Sequence, residues 1–530
     1  MDYDLLILGG DVADGTGSAL VRADVGIRDG KIVDVGNLSK KEATEKVTAE
    51  GRVVAPGFID IHTHDDFNLP LNPLAPGKVL QGVTTLVTGN CGFSPAPLVR
   101  DKKEELEQMA AMLDTGIDYN WESFGEFLEK LPPLGVNMAP LVGHGTLRCG
   151  AMGLENRPVK PLELERMESL LAEALEAGAF GFSTGLIYPP SGFAQTDEIA
   201  RLAMTATRFN AGYYTHMRDE GAGIMDSIEE AITIGRRSGV HVQLSHLKLM
   251  SPANWGRASE VLALIDKTRS DGQSLACDQY PYTAASTGLS TMLPDWFFGH
   301  EGGIVRRLQN NELRTRVRGE ILEMVKNGAS RVSDFSAVVV AQSSSQPDYA
   351  GMNLVEIGER EAKDPVDAML DLLVADKART LAVFFAISEE DMFQIMRHPA
   401  VAIGSDGIFT GIHGKEDHSK PHPRYFGTFP RVAGRYTREG KLPSLGEAIR
   451  KMTTLPANIL GLRERGRLKP GQAADVVIFD PKTLMDTATF EAPHGAPEGM
   501  DRVIINGVTV AEQGRITEAT PGTILRRGIS

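Results

Sequence analysis

The chain has 530 residues, of which 42% are hydrophobic and 24% charged, and its formal net charge is −15 at pH 7. This composition is typical of a globular protein, and the length predicts a barrel of roughly 250 residues or more together with a smaller domain. The acidic balance argues against a nucleic-acid partner, although a few local arginines or lysines could still bind a small anionic substrate.

The N-terminus and the cysteines indicate the compartment. MDYDLLILGG lacks a basic segment followed by a long apolar one, and no long uninterrupted apolar run follows, so neither a signal peptide nor a membrane span is predicted. Cys91, Cys149 and Cys277 are an odd and scattered set, which argues against a disulfide framework. We therefore expect a cytoplasmic protein with no membrane partner, and the sequence leaves its oligomeric state open.

Both ends of the chain predict short strands joined by tight turns. RDGK at 28–31 contains the Asp-Gly pair of a hairpin, and the segments 473–480 and 501–516 are further apolar runs, the latter interrupted by Asn-Gly. Because chain termini often lie close together, residues 1–54 and 465–530 are predicted to form one composite β domain. Two unrelated terminal sheets are the alternative.

The middle of the chain alternates between apolar strands and helical patterns. The predicted strands lie at 53–64, 84–92, 137–145, 179–187, 212–217, 241–248, 274–282 and 401–406. This alternation is typical of parallel βα units, and it predicts an α/β fold, a TIM-type (β/α)8 barrel over residues 55–464. The spacing before the last barrel strand is too long for one βα unit, so residues 285–345 are predicted to be an inserted subdomain near the barrel mouth.

Polar side chains end most of the predicted strands. In GFIDIHTHDD at 57–66, His62 and His64 point to the same face because alternate residues of a strand share a face. The other ligand-capable residues at strand ends are Cys91, His216, His246 and Asp406. The carboxyl ends of barrel strands meet on one face, and imidazole, thiolate and carboxylate groups suit zinc. Each residue alone could be structural, but their shared position predicts a metal site.

Other histidines are less informative. His144 ends a strand beside glycines, so both a site role and a tight structural loop are open. His413, His418 and His422 crowd the loop after the last strand, where they either line the entrance or are solvated.

These motifs resemble the amidohydrolase superfamily and, within it, the N-acyl-D-amino-acid deacylases, also called D-aminoacylases. The resemblance extends almost end to end, and GNCGFSPAP and HPRYFGTFPR are its most specific segments. It implies that Cys91 replaces the bridging ligand that many amidohydrolases take from the fourth strand. It also implies one or two zinc ions, with one position surrounded by His62, His64 and Cys91 and the other by Cys91, His216 and His246. Asp406 would contact the metal or its water.

The resemblance further implies zinc-dependent hydrolysis of the linear amide bond of N-acyl-D-amino acids, which yields a D-amino acid and a carboxylate. A hydroxide generated at the metal would attack the amide, with Asp406 as general base and then general acid. The family positions that bind the substrate carboxylate match Lys248, Tyr280, Ser286 and Arg424. From the residues alone, Lys248 shares a strand face with His246, and a cation there suits an anionic substrate.

Two other functions remain open. One is another amidohydrolase reaction, on a cyclic amide or a dipeptide, but the fourth strand AFGFSTGL lacks the bridging residue usual in those branches. The other is a binding homologue without catalysis, which the retained set of ligands disfavours. For the substrate side chain, segment 291–303, which contains Trp296, Phe297 and Phe298, either lines an apolar pocket or docks the insertion onto the barrel.

Overall fold

The structure is a computed structural model, and it describes residues 2–113, 116–299, 303–408 and 418–528. The strands are β1 (Tyr3–Val12), β2 (Val21–Arg28), β3 (Lys31–Gly36), β4 (Ala43–Thr48), β5 (Val53–Pro56), β6 (Phe58–Asp60), β7 (Val83–Thr88), β8 (Asn137–Pro140), β9 (Val142–Gly143), β10 (Gly181–Gly185), β11 (Gly212–His216), β12 (His241–Leu244), β13 (Leu275–Gln279), β14 (Ala285–Gly288), β15 (Val338–Gln342), β16 (Leu381–Phe384), β17 (Val401–Ile403), β18 (Val476–Phe479), β19 (Met500–Ile505), β20 (Val508–Glu512) and β21 (Arg515–Ile516).

The α-helices of the described residues are α1 (Pro76–Val79), α2 (Lys103–Ala110), α3 (Phe124–Lys130), α4 (His144–Met152), α5 (Pro161–Glu176), α6 (Thr196–Arg208), α7 (Ile224–Ser238), α8 (Ala258–Ser270), α9 (Gly303–Leu308), α10 (Asn311–Lys326), α11 (Leu354–Glu361), α12 (Pro365–Ala375), α13 (Glu389–Arg397), α14 (Arg424–Pro430), α15 (Leu445–Met452) and α16 (Thr454–Leu460). Within that part of the chain, no helix combines the length and the apolar character needed to cross a lipid bilayer.

Both ends of the chain contribute strands to one sheet. Its order is β21-β20-β19-β18-β5-β1-β2-β3, and β4 pairs with β1. The two ends meet in the antiparallel pair β18 and β5, where Val476 lies opposite Pro56 and Phe479 opposite Val53. An aliphatic cluster that includes Ile7 and Ile478 packs against this sheet. The arrangement supports the composite β domain proposed for residues 1–54 and 465–530.

Parallel strands form the central α/β unit. One sheet has the order β6-β7-β8, and the other has the order β17-β13-β12-β11-β10-β9. Strands β8 and β9 are consecutive parts of one extended segment, residues 137–143, which joins the two sheets. At the opposite edge, the segments after β17 and β6 pair: Asp406 N donates to His62 O at 2.8 Å, and His64 N donates to Gly407 O at 2.9 Å. The carboxyl ends of the first and last strands are therefore held together.

The helices between these strands are amphipathic, and they cover the outside of the sheets. In α7, Ile224, Ile228, Ala231 and Ile232 are buried, and this spacing places them on one face. The helix ends at Gly239, which has a φ of 74° and donates its N–H to Gly235 O. Glycine adopts this left-handed conformation without steric cost, so the chain can turn directly into β12.

An antiparallel sheet interrupts the parallel pattern between β13 and β17. Its order is β14-β16-β15, and it is accompanied by α9 to α12. The central strand β16 ends at Phe384, so the sheet extends past residue 345, where the sequence placed the end of the insertion. Because β14 and β15 both pair with β16, we propose residues 285–384 as the inserted subdomain.

Candidate active site

The carboxyl ends of the parallel strands bring ligand-capable side chains together on one face of the barrel. His62 and His64 follow β6, Cys91 follows β7, His216 ends β11, His246 follows β12 and Asp406 follows β17. All of them are buried. The predicted metal ligands therefore lie in one cluster, which divides into two groups that share Cys91.

The first group contains two imidazoles, the thiol and a carboxylate. Cys91 Sγ lies 3.3 Å from His62 Nε2. Asp406 Oδ1 lies 3.2 Å from His64 Nε2 and 3.5 Å from His62 Nε2. One ligand atom from each of these four residues can be chosen so that all lie within 4.8 Å of one another.

The second group contains the thiol and two imidazoles. Cys91 Sγ lies 3.5 Å from His246 Nε2, and His246 Nε2 lies 3.0 Å from His216 Nδ1. The rings of His216 and His246 meet edge to face, with centroids 4.3 Å apart. Cys91 therefore lies between the two groups, as expected of a bridging ligand.

The distances between these donor atoms fit zinc. Zinc bonds of about 2.0 to 2.3 Å in a tetrahedral arrangement place neighbouring ligand atoms roughly 3.3 to 3.7 Å apart. Burial, together with carboxylates such as Asp406, raises the pKa of the Cys91 thiol well above its usual value. A bound cation is what would stabilise the thiolate in such a place. The donor sets, with Asp406 in one of them, are those that zinc prefers.

The fourth strand supports the cysteine loop and supplies no ligand. Ser183 Oγ of β10 accepts the main-chain N–H of Gly92 at 2.9 Å and donates to Gly89 O. A Cβ at Gly185 would lie 2.2 Å from Cys91 O, so only glycine permits this close approach. Strand β10 thus positions Cys91 through its main chain.

Two carboxylates that the sequence analysis did not single out contact the outer ring nitrogens. Asp278 Oδ1 lies 3.3 Å from His62 Nδ1 and accepts the main-chain N–H of His246 at 2.8 Å. Glu220 Oε1 lies 3.0 Å from His246 Nδ1, and Glu220 Oε2 lies 3.4 Å from His216 Nε2. Such carboxylates orient metal-binding imidazoles. Asp278 and Glu220 could have been identified from the sequence by their positions at or just after strand ends.

Arg424 connects Asp406 to the predicted substrate residues. Its Nη1 lies 3.0 Å from Asp406 Oδ2, and its Nη2 donates to Ser286 O at 3.2 Å. The guanidinium lies over the Tyr280 ring, 4.7 Å from the centroid. Tyr280 Oη and Arg424 Nε are buried without a hydrogen-bond partner among the described residues. These donors could bind an anionic ligand.

Lys248 is the second cation of the site. It is only 3% exposed, and its Nζ lies 2.6 Å from Glu220 Oε1 and 5.7 Å from the centroid of the Tyr280 ring. All four residues predicted to bind substrate, Lys248, Tyr280, Ser286 and Arg424, line the same cavity.

The buried acids of the site are held in their ionised form. Burial alone would raise the pKa of Asp406, but Arg424 and the neighbouring imidazoles outweigh it and hold this pKa well below its usual value. Burial likewise opposes ionisation of Glu220, and Lys248, His216 and His246 hold its pKa well below the usual value. Both carboxylates are therefore hydrogen-bond and proton acceptors at neutral pH.

A cavity of about 480 Å³ opens in front of the cluster. Its lining includes the apolar side chains of Met112, Met250, Met292, Leu293 and Phe298, and also charged side chains such as those of Arg218, Asp295 and Arg331. Trp296 and Phe297, by contrast, pack within the insertion: Phe297 is fully buried, and Trp296 stacks on Arg316, 3.9 Å from the ring centroid. Within segment 291–303, Met292, Leu293 and Phe298 thus line the cavity, and docking of the insertion onto the barrel by Trp296 and Phe297 stays a prediction.

His144 has a structural environment. It is fully buried, with Nδ1 2.9 Å from Ser191 Oγ and Nε2 3.0 Å from Glu198 Oε1, and it does not line the cavity. Glu198 also pairs with Arg148. Of the two interpretations of His144, this geometry favours the structural one.

The loop histidines have different environments. His422 Nε2 donates to Ala284 O at 2.9 Å, and its Nδ1 accepts the main-chain N–H of Arg424 at 3.0 Å, so His422 fixes the start of α14. His418 is exposed, and His413 lies outside the described residues.

Known proteins are similar to this chain in both sequence and fold. The amidohydrolase family model matches residues 45–257 and 353–511. An N-acyl-D-glutamate deacylase of Alcaligenes xylosoxydans xylosoxydans is 39% identical over 529 residues, 99% of this chain and 97% of the relative. A crystal structure of a D-aminoacylase has a TM-score of 0.84 and 37% identity, covering 99% of this chain and 100% of that chain.

A further solved structure includes ligands. The N-acyl-D-glutamate deacylase of Bordetella bronchiseptica, in complex with zinc and a phosphonate mimic of the reaction's tetrahedral intermediate, is 35% identical with a TM-score of 0.84. The match covers 99% of this chain and 100% of that chain. The chain therefore belongs to the amidohydrolase family, in the branch of the D-aminoacylases and related N-acyl-D-amino-acid deacylases. The predicted family and the α/β barrel fold are both confirmed.

The position of Cys91 between the two groups gives a test of the cluster. We expect Cys91→Ser to lower the affinity for zinc at both positions, because a hydroxyl is a much weaker zinc ligand than a thiolate. Metal content after dialysis, measured by elemental analysis, would show the loss. Cys149→Ser and Cys277→Ser, which alter buried cysteines that do not line the cavity, should retain the metal. Equal retention in all three variants would remove Cys91 from the site.

Proposed function

We propose that this protein is a zinc-dependent N-acyl-D-amino-acid deacylase, which hydrolyses a linear amide bond to release a D-amino acid and a carboxylate. The observation that carries the proposal is the juxtaposition, in one cavity, of a zinc-type donor cluster and a buried cationic site. His64, Cys91 and Asp406 from the cluster line this cavity together with Lys248 and Arg424. The names of its relatives, deacylases of N-acyl-D-amino acids, agree with this reaction.

The proposed zinc ligands are the two groups that share Cys91. His62, His64, Cys91 and Asp406 would hold one ion, and Cys91, His216 and His246 would hold a second where it binds. Bound zinc would polarise the amide carbonyl and make a water molecule more acidic. The imidazoles are held for this task by Asp278 and Glu220 on their outer nitrogens.

Asp406 is the proposed proton carrier. It is ionised and lies at the cavity wall, so it can accept a proton from the attacking water. The same carboxyl group then donates that proton to the departing amine nitrogen. Arg424, 3.0 Å from Asp406 Oδ2, fixes the orientation of the carboxylate during both transfers.

The substrate carboxylate would bind to the free donors beside the cluster. Tyr280 Oη and Arg424 Nε are buried and lack a partner among the described residues, so an anion would satisfy both. Lys248 adds a second positive charge, and Ser286 lines the same part of the cavity. A substrate held at its carboxylate presents its amide in one pose, which lowers the entropic cost of reaction.

The apolar wall supports a preference for apolar substrate side chains. Four methionines, Met112, Met250, Met292 and Met324, line the cavity, and methionine adapts to side chains of different shape. Arginines also lie at the wall, but Arg218 is paired with Glu230 at 2.9 Å. An acidic side chain is the alternative. It is favoured by Arg331, which lines the cavity and donates from Nη1 to the main-chain oxygen of Thr291 at 3.3 Å, and by the likeness to N-acyl-D-glutamate deacylases.

The choice among amidohydrolase reactions, the absence of nucleic-acid and membrane partners and the cytoplasmic location are also proposals. The structure gives β10 the sequence GFSTG, without the lysine or acid expected of the rival cyclic-amide and dipeptide hydrolases. The net charge of −15 supports the absence of a nucleic-acid or membrane partner, and three free, buried cysteines support a cytoplasmic location.

The direct test is a screen of paired N-acetyl-D- and N-acetyl-L-amino acids with zinc supplied. We expect hydrolysis of the D series, with kcat/KM for D-methionine or D-leucine derivatives about 10-fold or more above that for D-glutamate, since a buried apolar contact is worth 1–3 kcal/mol. A preference for D-glutamate would favour the Arg331 alternative. Hydrolysis of the L series alone, or of neither series with zinc bound, would reject the function.

Asp406→Asn tests the proton carrier. The amide keeps the size of the side chain but cannot accept a proton, so we expect kcat to fall by about 10²- to 10⁴-fold. Zinc content should be nearly unchanged, because three other ligands of that group remain. Asp295→Asn, at the cavity wall, is the matched control and should keep wild-type turnover. A wild-type rate in zinc-loaded Asp406→Asn would exclude the assigned role.

Arg424→Ala tests the carboxylate site. We expect KM to rise by about 10- to 100-fold for N-acetyl-D-amino acids, because a charge-assisted hydrogen bond is worth about 1.5–3 kcal/mol. The KM for the corresponding C-terminal amides, which lack the negative charge, should change much less. Arg218→Gln, which alters another arginine of the cavity, is the control. The same rise for acids and amides would contradict the assignment.

A further inference from the structure

Glu220 is a buried carboxylate between the metal cluster and the substrate cation. It is 3% exposed and follows His216 by four residues in the loop after β11. Its Oε1 lies 2.6 Å from Lys248 Nζ and 3.0 Å from His246 Nδ1, and its Oε2 lies 3.4 Å from His216 Nε2. One carboxylate thus contacts two proposed zinc ligands and a proposed substrate-binding residue.

The loop around Glu220 is held by the side chain of Asp219 and by one main-chain hydrogen bond. Asp219 accepts the N–H groups of Gly221 and Gly223, each at 2.8 Å, and this closes the turn before α7. Glu220 O accepts the N–H of Met250 at 2.9 Å, which ties the loop to the segment after β12. The Glu220 carboxylate is therefore fixed relative to β11 and β12, the strands whose ends carry His216 and His246.

Glu220 selects which nitrogen of each imidazole is free to bind a metal. An imidazole that donates one N–H to a carboxylate presents the lone pair of its other nitrogen. In His246 the nitrogen beside Glu220 is Nδ1, and Nε2 lies beside Cys91 Sγ at 3.5 Å. In His216 the nitrogen beside Glu220 is Nε2, and Nδ1 lies 3.0 Å from His246 Nε2. Both free nitrogens then point toward the second group.

The same tautomers determine what Lys248 can bind. Its Nζ lies 2.6 Å from Glu220 Oε1, 3.0 Å from His246 O and 2.9 Å from His246 Nδ1. When Nδ1 donates to Glu220 it cannot also accept from the ammonium. Lys248 then keeps two protein acceptors for its three N–H groups. The third N–H remains for a carboxylate in the cavity that Lys248 lines.

We propose that Glu220 is a positioning residue for both halves of the site: it orients His216 and His246 toward the second metal position and holds Lys248 ready for the substrate carboxylate. The inference rests on the proposed function. It adds to that function a physical connection, through one side chain, between metal binding and substrate binding.

Glu220→Gln tests the metal half. It preserves the shape of the side chain but removes its charge and replaces one acceptor oxygen with a donor. We expect the affinity for Co²⁺, titrated into metal-free protein and followed by visible absorption, to fall by about 10- to 100-fold at the position that His246→Asn also weakens. The position that His64→Asn weakens should keep its affinity. Unchanged cobalt affinity at both positions would overturn this half.

The proposed effect of Glu220 on substrate binding is tested by measuring KM in the same variant, Glu220→Gln. We expect KM for an N-acetyl-D-amino acid to rise more than KM for its C-terminal amide, because Lys248 loses its fixed position. Glu220→Asp keeps the charge, so it should restore part of the difference between acid and amide. An equal KM change for acid and amide, or no rescue by aspartate, would overturn this half.

Glu198→Gln is the matched control. Glu198 is also a buried carboxylate with an imidazole and a cation as partners, His144 and Arg148, but it does not line the cavity. We expect it to lower the thermal midpoint and to leave the cobalt titration and the acid-to-amide KM ratio unchanged. If it reproduced the losses of Glu220→Gln, general destabilisation would explain them and the proposal would fail. Failure of wild-type protein to hydrolyse any N-acyl-amino acid would instead reject the proposed function, which the cobalt titration does not require.

Discussion

A buried ammonium group fixes the edge where the first and last barrel strands meet, and the site depends on it. Lys78 is fully buried, donates to Asp60 Oδ2 at 2.9 Å and also donates to Ser405 Oγ. Asp60 precedes His62 by two residues, and Ser405 directly precedes Asp406, so this ion pair positions both ends of the first metal group. Loss of one partner of a buried pair leaves an uncompensated charge, which costs about 3–5 kcal/mol. The proposed metal ligands His62 and Asp406 are therefore positioned by charged groups outside the proposed ligand set.

The backbone at the cluster is strained, and close packing holds it in place. Cys91, His246 and Asp406 have φ values of 53°, 37° and 48°, in the left-handed region that residues with a side chain rarely adopt. Such conformations persist where the surroundings determine them, as Gly185 does where it packs on the main chain of Cys91. All three of these residues belong to the donor cluster, so the strained backbone and the convergence of the side chains occur at the same strand ends.

The sequence predicts the parts of this site that follow from strand periodicity. The spacing of His62 and His64, and the position of polar residues at successive strand ends, were enough to predict one cluster, because parallel strands place their carboxyl ends together. Glu220 and Lys78 escaped prediction for a physical reason. Their roles come from side chains that reach across from loops and short helices, and acids and lysines are common in both. The predicted insertion, residues 285–345, does not include β16, the central strand of the antiparallel sheet, because β16 comes from beyond that range of the sequence.

The three walls of the cavity together explain how a barrel of this kind can distinguish mirror images. A protein distinguishes the two enantiomers of a substrate only when it binds three substituents of the chiral carbon at once. Two contacts can be satisfied by either enantiomer. In the proposed site the donor cluster would receive the amide, Arg424 and Lys248 would receive the carboxylate, and the methionines that line the cavity would receive the side chain. Exchange of the carboxylate and the side chain would bring a carboxylate against Met292 and an apolar group against Arg424, and the desolvated charge left unpaired would be costly. A stereochemical preference of the proposed site would therefore follow from where the buried charges of Arg424 and Lys248 lie relative to the cluster.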